Sequence, residues 1–304
     1  MASSLEIIRE PITLISDPAG TPLYYHFAAG ATLKVVQDRF DVLHDGNVIG
    51  SRNSNQVYEL SGKLIGEFEN IATLFPHLSA NLGTRLIGAT DTPWHAITPS
   101  GRKWVFHRAT ITKRPGIMAK TGDTLLSDIT LTAVYSPTQS GWLTHTTGET
   151  HPGYSSVGIS SILTLAPTVS FGTDPYDNLW PVDGCEFAFD WALEPVLSNN
   201  LLVDWTIKSQ THTAKIKPQT DATFGEWMTK IGADLAMGAA VPVADVVASY
   251  SGFYAGLYNA EAQIDQFNFS HDANFVSGIT ATARQRYSAG AAVALGYVGT
   301  SAPA

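Results

Sequence analysis

The pentapeptide Ile-Thr-Leu-Thr-Ala at residues 129–133 returns as Ile-Thr-Ala-Thr-Ala at residues 279–283. In both copies an apolar or small residue alternates with threonine, the period-two pattern of a β-strand with one face buried and the other polar. An interval of 150 residues in a chain of 304 fits two modules, each of ordinary single-domain size.

The flanking sequence extends the parallel. "TLKVVQDRFDVL", the turn signal "HDGN" at residues 44–47 and "NQVYELSGKLI" predict a hairpin, because Asp-Gly suits the left-handed backbone of a tight two-residue turn. In "GEFENIATLFPHL", Phe68, Ile71, Ala72 and Phe75 fall at i, i+3, i+4 and i+7 and predict a short helix stopped by Pro76. Strands follow in "KWVFHRATITK" and "LLSDITLTAVY". The second half repeats that order. "NNLLVDWTIKSQTHTAKIKP" reads as a strand pair, and "TFGEWMTKIGADLAMG" as a helix with Phe224, Trp227, Met228, Ile231 and Leu235 on its apolar face and Thr223 with Glu226 as a capping box. Strands return in "LYNAEAQIDQFNF" and "FVSGITATARQRY". Aligning the helices needs an offset of 156 and aligning the later strands one of 150, as a diverged duplication with unequal loops would give. The expected modules are residues 1–150 and 151–304. Residues 136–158, rich in Gly, Ser, Thr and Pro, read as a connection or exposed loop, and the small apolar tail 289–304 as an arm on a neighbour or a frayed end.

Charge narrows the function classes. Eighteen basic against 27 acidic side chains disfavour tight binding to nucleic-acid phosphates. Residues 1–152 carry 12 basic and 13 acidic groups, residues 153–304 carry 6 and 14, so the excess negative charge belongs to the second half. Charged residues make up 15%, well below the usual quarter, which favours packed structure or burial in subunit contacts over disorder. The single Cys185 excludes an internal disulfide and reads as a small buried hydrophobe. A secretion signal or membrane span is not expected, since the first twenty residues lack a basic start before an apolar core and no apolar run approaches membrane length.

No glycine-rich phosphate loop, dinucleotide fingerprint or nucleophile elbow is present, so the expectation is a protein without enzymatic activity, cofactor or metal. His145, Glu149 and His151 in "HTTGETH" come closest to a ligand set, but a Thr/Gly loop gives them no rigid element to aim them, and they read as a solvated loop. His107 and His212 read as surface or subunit-contact residues, and Trp104, Trp205 and Trp227 as core.

The run 68–135, "FENIATLFPHLSANLGTRLIGATDTPWHAITPSGRKWVFHRATITKRPGIMAKTGDTLLSDITLTAVY", resembles the major tail tube proteins of long-tailed, non-contractile bacteriophages. A helix ends at a Phe-Pro corner, Gly-Thr leads into an "IG" strand and an exposed turn, and an "A-x-I-T-x-x-P" strand precedes a Thr-rich closing strand. The second half matches through its helix and "SGITATARQRY", so that about two thirds of the chain is covered. The resemblance implies a mainly β protein of two tandem β-sandwich or half-barrel modules, each with a short flanking α-helix. It implies a homotrimeric ring with pseudo-sixfold symmetry, or a hexamer as the alternative, stacked into a tube whose channel, expected to be acidic from the net charge of −9, passes DNA transiently during ejection. The implied partners are other copies of the chain and the terminator, tape measure and distal tail proteins. The implied location is the virion tail, assembled in the host cytoplasm without contact to a membrane.

Within "EAQIDQ", Glu261, Gln263 and Asp265 share one strand face and are the expected channel-lining residues, with Ala262 and Ile264 turned to the second helix. The hairpin tip "DGNVIGSRNSN", with Asp45, Gly46, Asn47, Arg52 and Asn53, is the expected ring-to-ring contact. The alternative is another virion or surface β-sandwich protein of the receptor-binding, carbohydrate-binding or baseplate kind.

Overall fold

Alternating apolar and polar residues dominate the chain, and the fold is mainly β. A computed structural model describes residues 5–7, 10–16, 22–28, 30–45, 47–65, 67–68, 70–153, 159–160, 168–171, 181–218, 243–250, 252–264, 279–284 and 294–302. The first half holds β1 (Leu5–Ile7), β2 (Ile12–Ser16), β3 (Leu23–Phe27), the long hairpin β4 (Thr32–His44) and β5 (Asn47–Ile65), and β6 (Glu67–Phe68). It continues with β7 (Trp94–Ile97), β8 (Lys103–Phe106), β9 (Ala109–Lys113), β10 (Ile117–Ala119), β11 (Asp128–Ala133) and β12 (Leu143–Thr146). The second half holds β13 (Ile159–Ser160), β14 (Thr168–Phe171), a second long hairpin β15 (Pro181–Ser198) and β16 (Leu201–Pro218), then β17 (Val243–Tyr250), β18 (Phe253–Ile264), β19 (Ile279–Arg284) and β20 (Gly296–Gly299).

These strands form two main sheets. One runs β1-β4-β5-β3-β2-β7-β8-β12, with β11 on β5 and β9 on β11; the other runs β10-β15-β16-β19-β18-β17-β14, with β20 on β18. β13 and β6 make a separate pair. One buried cluster holds Phe27, Leu60, Phe106 and Leu131 of the first half together with Phe187, Phe189, Ile216 and Leu257 of the second. The two halves therefore exclude water from a shared core, which includes an edge-to-face contact between Phe75 and Phe189 at 5.2 Å.

The two long hairpins have the same register. The last pairs before the turns are His44 with Asn47 and Ser198 with Leu201, and the backbone is left-handed at Asp45, with φ of 50°, and at Asn199 and Asn200, with φ of 51° and 61°. In the first hairpin Leu43 faces Val48 and Val42 faces Gly50, so Ile49 is an extra residue; in the second Leu197 faces Leu202 and Val196 faces Asp204, so Val203 is extra. Nearer the base, Arg39 faces Asn53 and Val36 faces Val57, as Leu193 faces Ile207 and Asp190 faces Thr211. Adding 154 to both residue numbers turns every pair of the first hairpin into its counterpart in the second except one: Asp38 faces Ser54, whereas Ala192 faces Ser209, so the bulge nearer the base is displaced by about one residue.

The neighbours follow the same scheme. β11 lies on β5 with Ile129 opposite Gly62, and β19 lies on β16 with Ile279 opposite Ile216, again 154 residues on. β9 flanks β11 and β18 flanks β19. On the outer edge of the hairpins, β1 places Glu6 opposite Leu33, and β10 places Ile117 opposite Phe187. The order β1-β4-β5-β11-β9 is thus matched by β10-β15-β16-β19-β18. This register explains the repeated pentapeptide. Leu131 and Ala133, like Ala281 and Ala283, are buried on one face, while the threonines lie on the opposite face, where Thr130, Thr280 and Thr282 are half-buried and Thr132 is buried in a hydrogen bond with Thr112.

Several expectations are corrected. The helix expected over residues 68–75 is a single 3-10 turn, Ile71–Leu74, preceded by β6; its buried residues Ile71 and Leu74 are three apart, the spacing that stacks on a 3-10 turn. Asn70 makes no side-chain cap there, and Pro76 prevents elongation beyond Phe75. The segment expected as a strand pair is one strand, β16, because its turn residues, Asn199 and Asn200, precede it. The expected strand of "KWVFHRATITK" is two, β8 and β9, broken at His107 and Arg108. Residues 136–158, expected as a connection, include β12, an edge strand on β8 with largely exposed side chains. The tail is neither arm nor frayed end over residues 296–299, where β20 pairs with β18 and buries Val298 beside the adjoining Leu295. The second expected helix, with Phe224 and Trp227, lies outside the described residues.

Candidate assembly interface

The second hairpin is held against the first half through its backbone edge. Along β16, the Leu202 carbonyl accepts from Tyr135 N–H and the Trp205 carbonyl from Leu86 N–H; Ile207 accepts from Gly83 N–H and donates to the Thr84 carbonyl. Leu202 is 5% exposed and packs in a cluster with Val57 and Val134. This strand edge would otherwise present unpaired backbone groups to solvent.

Two arginines that bracket β9 fix the charges of this contact. Arg108, 6% exposed, donates from Nε to the Val203 carbonyl at 2.8 Å and from Nη1 to Asp91 Oδ1 at 2.8 Å, and its Nη2 lies 3.6 Å from Asp204 Oδ2. Asp204 is fully buried and accepts from the N–H groups of Ile87, Gly88 and Trp205 at 3.1, 3.0 and 2.8 Å. A carboxylate so enclosed survives burial because hydrogen bonds and a guanidinium repay its lost hydration. Partial burial alone would raise the Asp91 carboxyl, but hydrogen bonds from Ser136 and Arg108, with the charge of Arg108, hold it below the usual carboxylate range.

Arg114 forms the second clamp. Its Nε and Nη2 donate to the Pro76 carbonyl at 2.9 and 2.6 Å, Nη2 also donates to Gln210 Oε1 at 3.0 Å, and Nη1 reaches the Phe189 carbonyl and His212 Nε2, each at 3.3 Å. The guanidinium carbon lies 3.6 Å from the centre of the Trp191 ring, whose Nε1 donates to the Thr112 carbonyl at 2.6 Å. Burial pushes Arg114 down to about 9, and burial followed by the charge of Arg114 pushes His212 down to about 3. His212 is therefore a buried neutral acceptor within the chain, in place of the surface or subunit-contact residue expected from the sequence.

The sequence-predicted site residues are scattered across this frame. Asp45 is exposed in the first hairpin turn and Asn47 is exposed at the start of β5; Arg52 and Asn53 belong to β5. The expected loop of residues 45–55 is thus mostly extended strand, since Ile49 is absorbed as a bulge and pairing with β4 continues. Gly46 lies outside the described residues. Glu261 is half-buried in β18, between Thr282 and Val243; Gln263 follows opposite Thr280, and Asp265 lies outside the described residues. The sheet face that Glu261 shares carries Glu186, Asp190, Lys215 and Arg284, and the matching face of the first sheet carries Lys34, Glu59, Lys63, Lys113 and Asp128. Both signs are evenly represented, among threonines, so this surface is polar and balanced.

His145, Glu149 and His151 turn to different partners. His145 lies against the Trp104 ring at 5.1 Å, Glu149 is 3.7 Å from Lys103 Nζ, and His151 Nε2 is 2.8 Å from Thr13 Oγ1. Among the described residues no cluster of three metal-ligating side chains occurs, and no helix is long and apolar enough to cross a membrane. Trp104 is core as expected and Cys185 is buried, its thiol pushed up to about 12; Trp227 lies outside the described residues. The clamp residues Arg108, Arg114, Asp204 and Gln210 were not singled out in the sequence. The available signal was an arginine at each end of a short apolar strand in a chain poor in charge. No protein-family model matches the chain, and no curated protein matches it at a meaningful level.

Proposed function

We propose that this chain is the ring-forming subunit of a tubular assembly of the kind built by the major tail tube proteins of long-tailed, non-contractile bacteriophages. In this reading each half is one tube module, the product of a duplication, and three chains close a ring of six modules that stacks into a conduit for DNA. The observation that carries it is the common register of the two hairpins and their flanking strands, with the bulge beside the turn repeated and a second bulge in each that restores the same register toward the base. A one-residue slip would invert every side chain, so two unrelated hairpins have no physical reason to share a bulge at the same distance from the turn and the same register on both sides of a second one.

The threonine-rich face supports the conduit. Walls with excess cations would hold DNA through counterion release, whereas a charge-balanced polar wall leaves the polymer free to slide. On this reading Glu261 and Gln263 face the lumen, the wall over the described strands is charge-balanced in place of the acidic wall expected from the sequence, and the protein acts by shape without catalysis. The rival carbohydrate-binding reading asks for an exposed aromatic platform, and the described Trp and Tyr side chains are all buried or half-buried. Negative-stain microscopy of concentrated protein tests the proposal: rings or tubes with a central channel support it, and dispersed monomers under all assembly conditions refute it.

A further inference from the structure

We infer that the edge of β5 at residues 48–53, on which no described strand lies, is the docking site for a second copy of this chain, which covers it as the first half covers residues 202–207 of β16. The inference rests on the module reading above and adds the surface through which modules of different chains meet, giving residues 48–53 to the contact between neighbours within a ring, where the sequence suggested a contact between rings.

The register gives the correspondence directly. Val48, Ser51 and Asn53 are the counterparts of Leu202, Trp205 and Ile207, whose backbone groups are satisfied by residues 83–86 and Tyr135 of the first half. Among the described residues no strand lies on that edge of β5 before Tyr58, where β11 begins. Burial differs accordingly. Leu202 is 5% exposed, whereas Val48 is 57% exposed and is one of few large hydrophobic side chains open to solvent among the described residues. An open edge carrying an exposed valine is a surface that proteins cover or blunt.

The direction of the contact follows as well. Within the chain, the first half supplies the covering segment and the second half supplies the hairpin; between chains, the second half of one copy covers the first hairpin of the next. Such a contact uses two different surfaces, so it propagates head to tail and closes only as a ring. On the covering side, Val134 packs with Leu202, and Arg284, 150 residues on, is exposed at the end of β19. The charge clamp is not repeated: Gly50 stands where Asp204 stands, and a side chain there would meet nothing within 4 Å. The contact between chains is therefore weaker than the one within the chain, which lets the chain fold alone before it associates.

The test places cysteines at both predicted surfaces of the full chain, Val48→Cys with Arg284→Cys, and joins them with a short bismaleimide under assembly conditions; the native Cys185 is buried and does not compete. The expected result is a ladder of covalent dimer and trimer ending at the trimer, with neither single variant forming one. Val48→Lys should abolish association while leaving the unfolding midpoint of the monomer unchanged. Rings or tubes that form without the ladder, or that tolerate Val48→Lys, overturn the placement and leave the tube reading standing. Dimers from Val48→Cys alone overturn the head-to-tail arrangement. Absence of any oligomer overturns both.

Discussion

Replacing Arg114 by methionine removes five hydrogen-bonding donors while keeping a side chain of similar length. The Pro76 and Phe189 carbonyls and Gln210 Oε1 then face a buried space without their donor. Each orphaned acceptor costs about 2 kcal/mol, and loss of the guanidinium over Trp191 costs about 1–2 kcal/mol more. Against this stands relief from burying the charge: Arg114 pushed down to about 9 corresponds to roughly 5 kcal/mol of penalty. The losses win by about 3 kcal/mol. Urea denaturation should show a midpoint about 1 M lower at unchanged slope, for a slope near 3 kcal/mol per M. Arg114→Lys should recover little, because an ammonium cannot reproduce the planar fork across three acceptors. A methionine variant within about 0.5 kcal/mol of the parent would refute the view that this guanidinium pins the second hairpin to the first half.

Other perturbations address the same frame. His212, pushed down to about 3 in the folded chain, binds no proton between about pH 3 and its ordinary value while the unfolded chain does, so stability should fall on acidification through that window by up to about 1.4 kcal/mol per pH unit. His212→Gln should remove that share of the slope in urea titrations at pH 4–7; parallel curves would contradict it. Leu202→Ala should cost about 2–5 kcal/mol, whereas Val48→Ala at the corresponding exposed position should leave the monomer within about 0.5 kcal/mol, and equal losses by thermal or urea unfolding would dismiss the asymmetry. Gly184 has φ of +80° and its added Cβ would strike the Ala119 carbonyl, so Gly184→Ala should separate β10 from β15 and expose the amides of residues 117–119 to hydrogen exchange. Unchanged protection there would show that the two strands tolerate the change.

The β character of the chain was legible because period-two alternation is local: the threonines of residues 129–133 and 279–283 mark a polar face whatever lies around them. The first hairpin was legible through Asp45-Gly46. The second was harder, since Asn-Asn is a weaker turn signal than Asp-Gly, and the unbroken alternation after Leu201 invites a division that the backbone does not make. The 154-residue match between hairpins was hidden because it resides in bulges and register, and few identities accompany it; Val42-Leu43 with Val196-Leu197 and Gln56 with Gln210 are among them. The helix of residues 68–75 misled because i, i+3, i+4 spacing does not distinguish a full helix from one buried turn before a proline. The clamps were not legible at all. Arg114 meets Gln210 and His212 only after almost a hundred intervening residues have folded, and no local pattern records that encounter.

If the two halves are equivalent units that continue the same contact from chain to chain, native mass spectrometry combined with end-on microscopy of the assembled particles should show a closed ring of three chains, three times the 32.6 kDa of the monomer, with six similar densities around a channel. A two-fold dimer, or a ring showing only as many densities as it has chains, would contradict it.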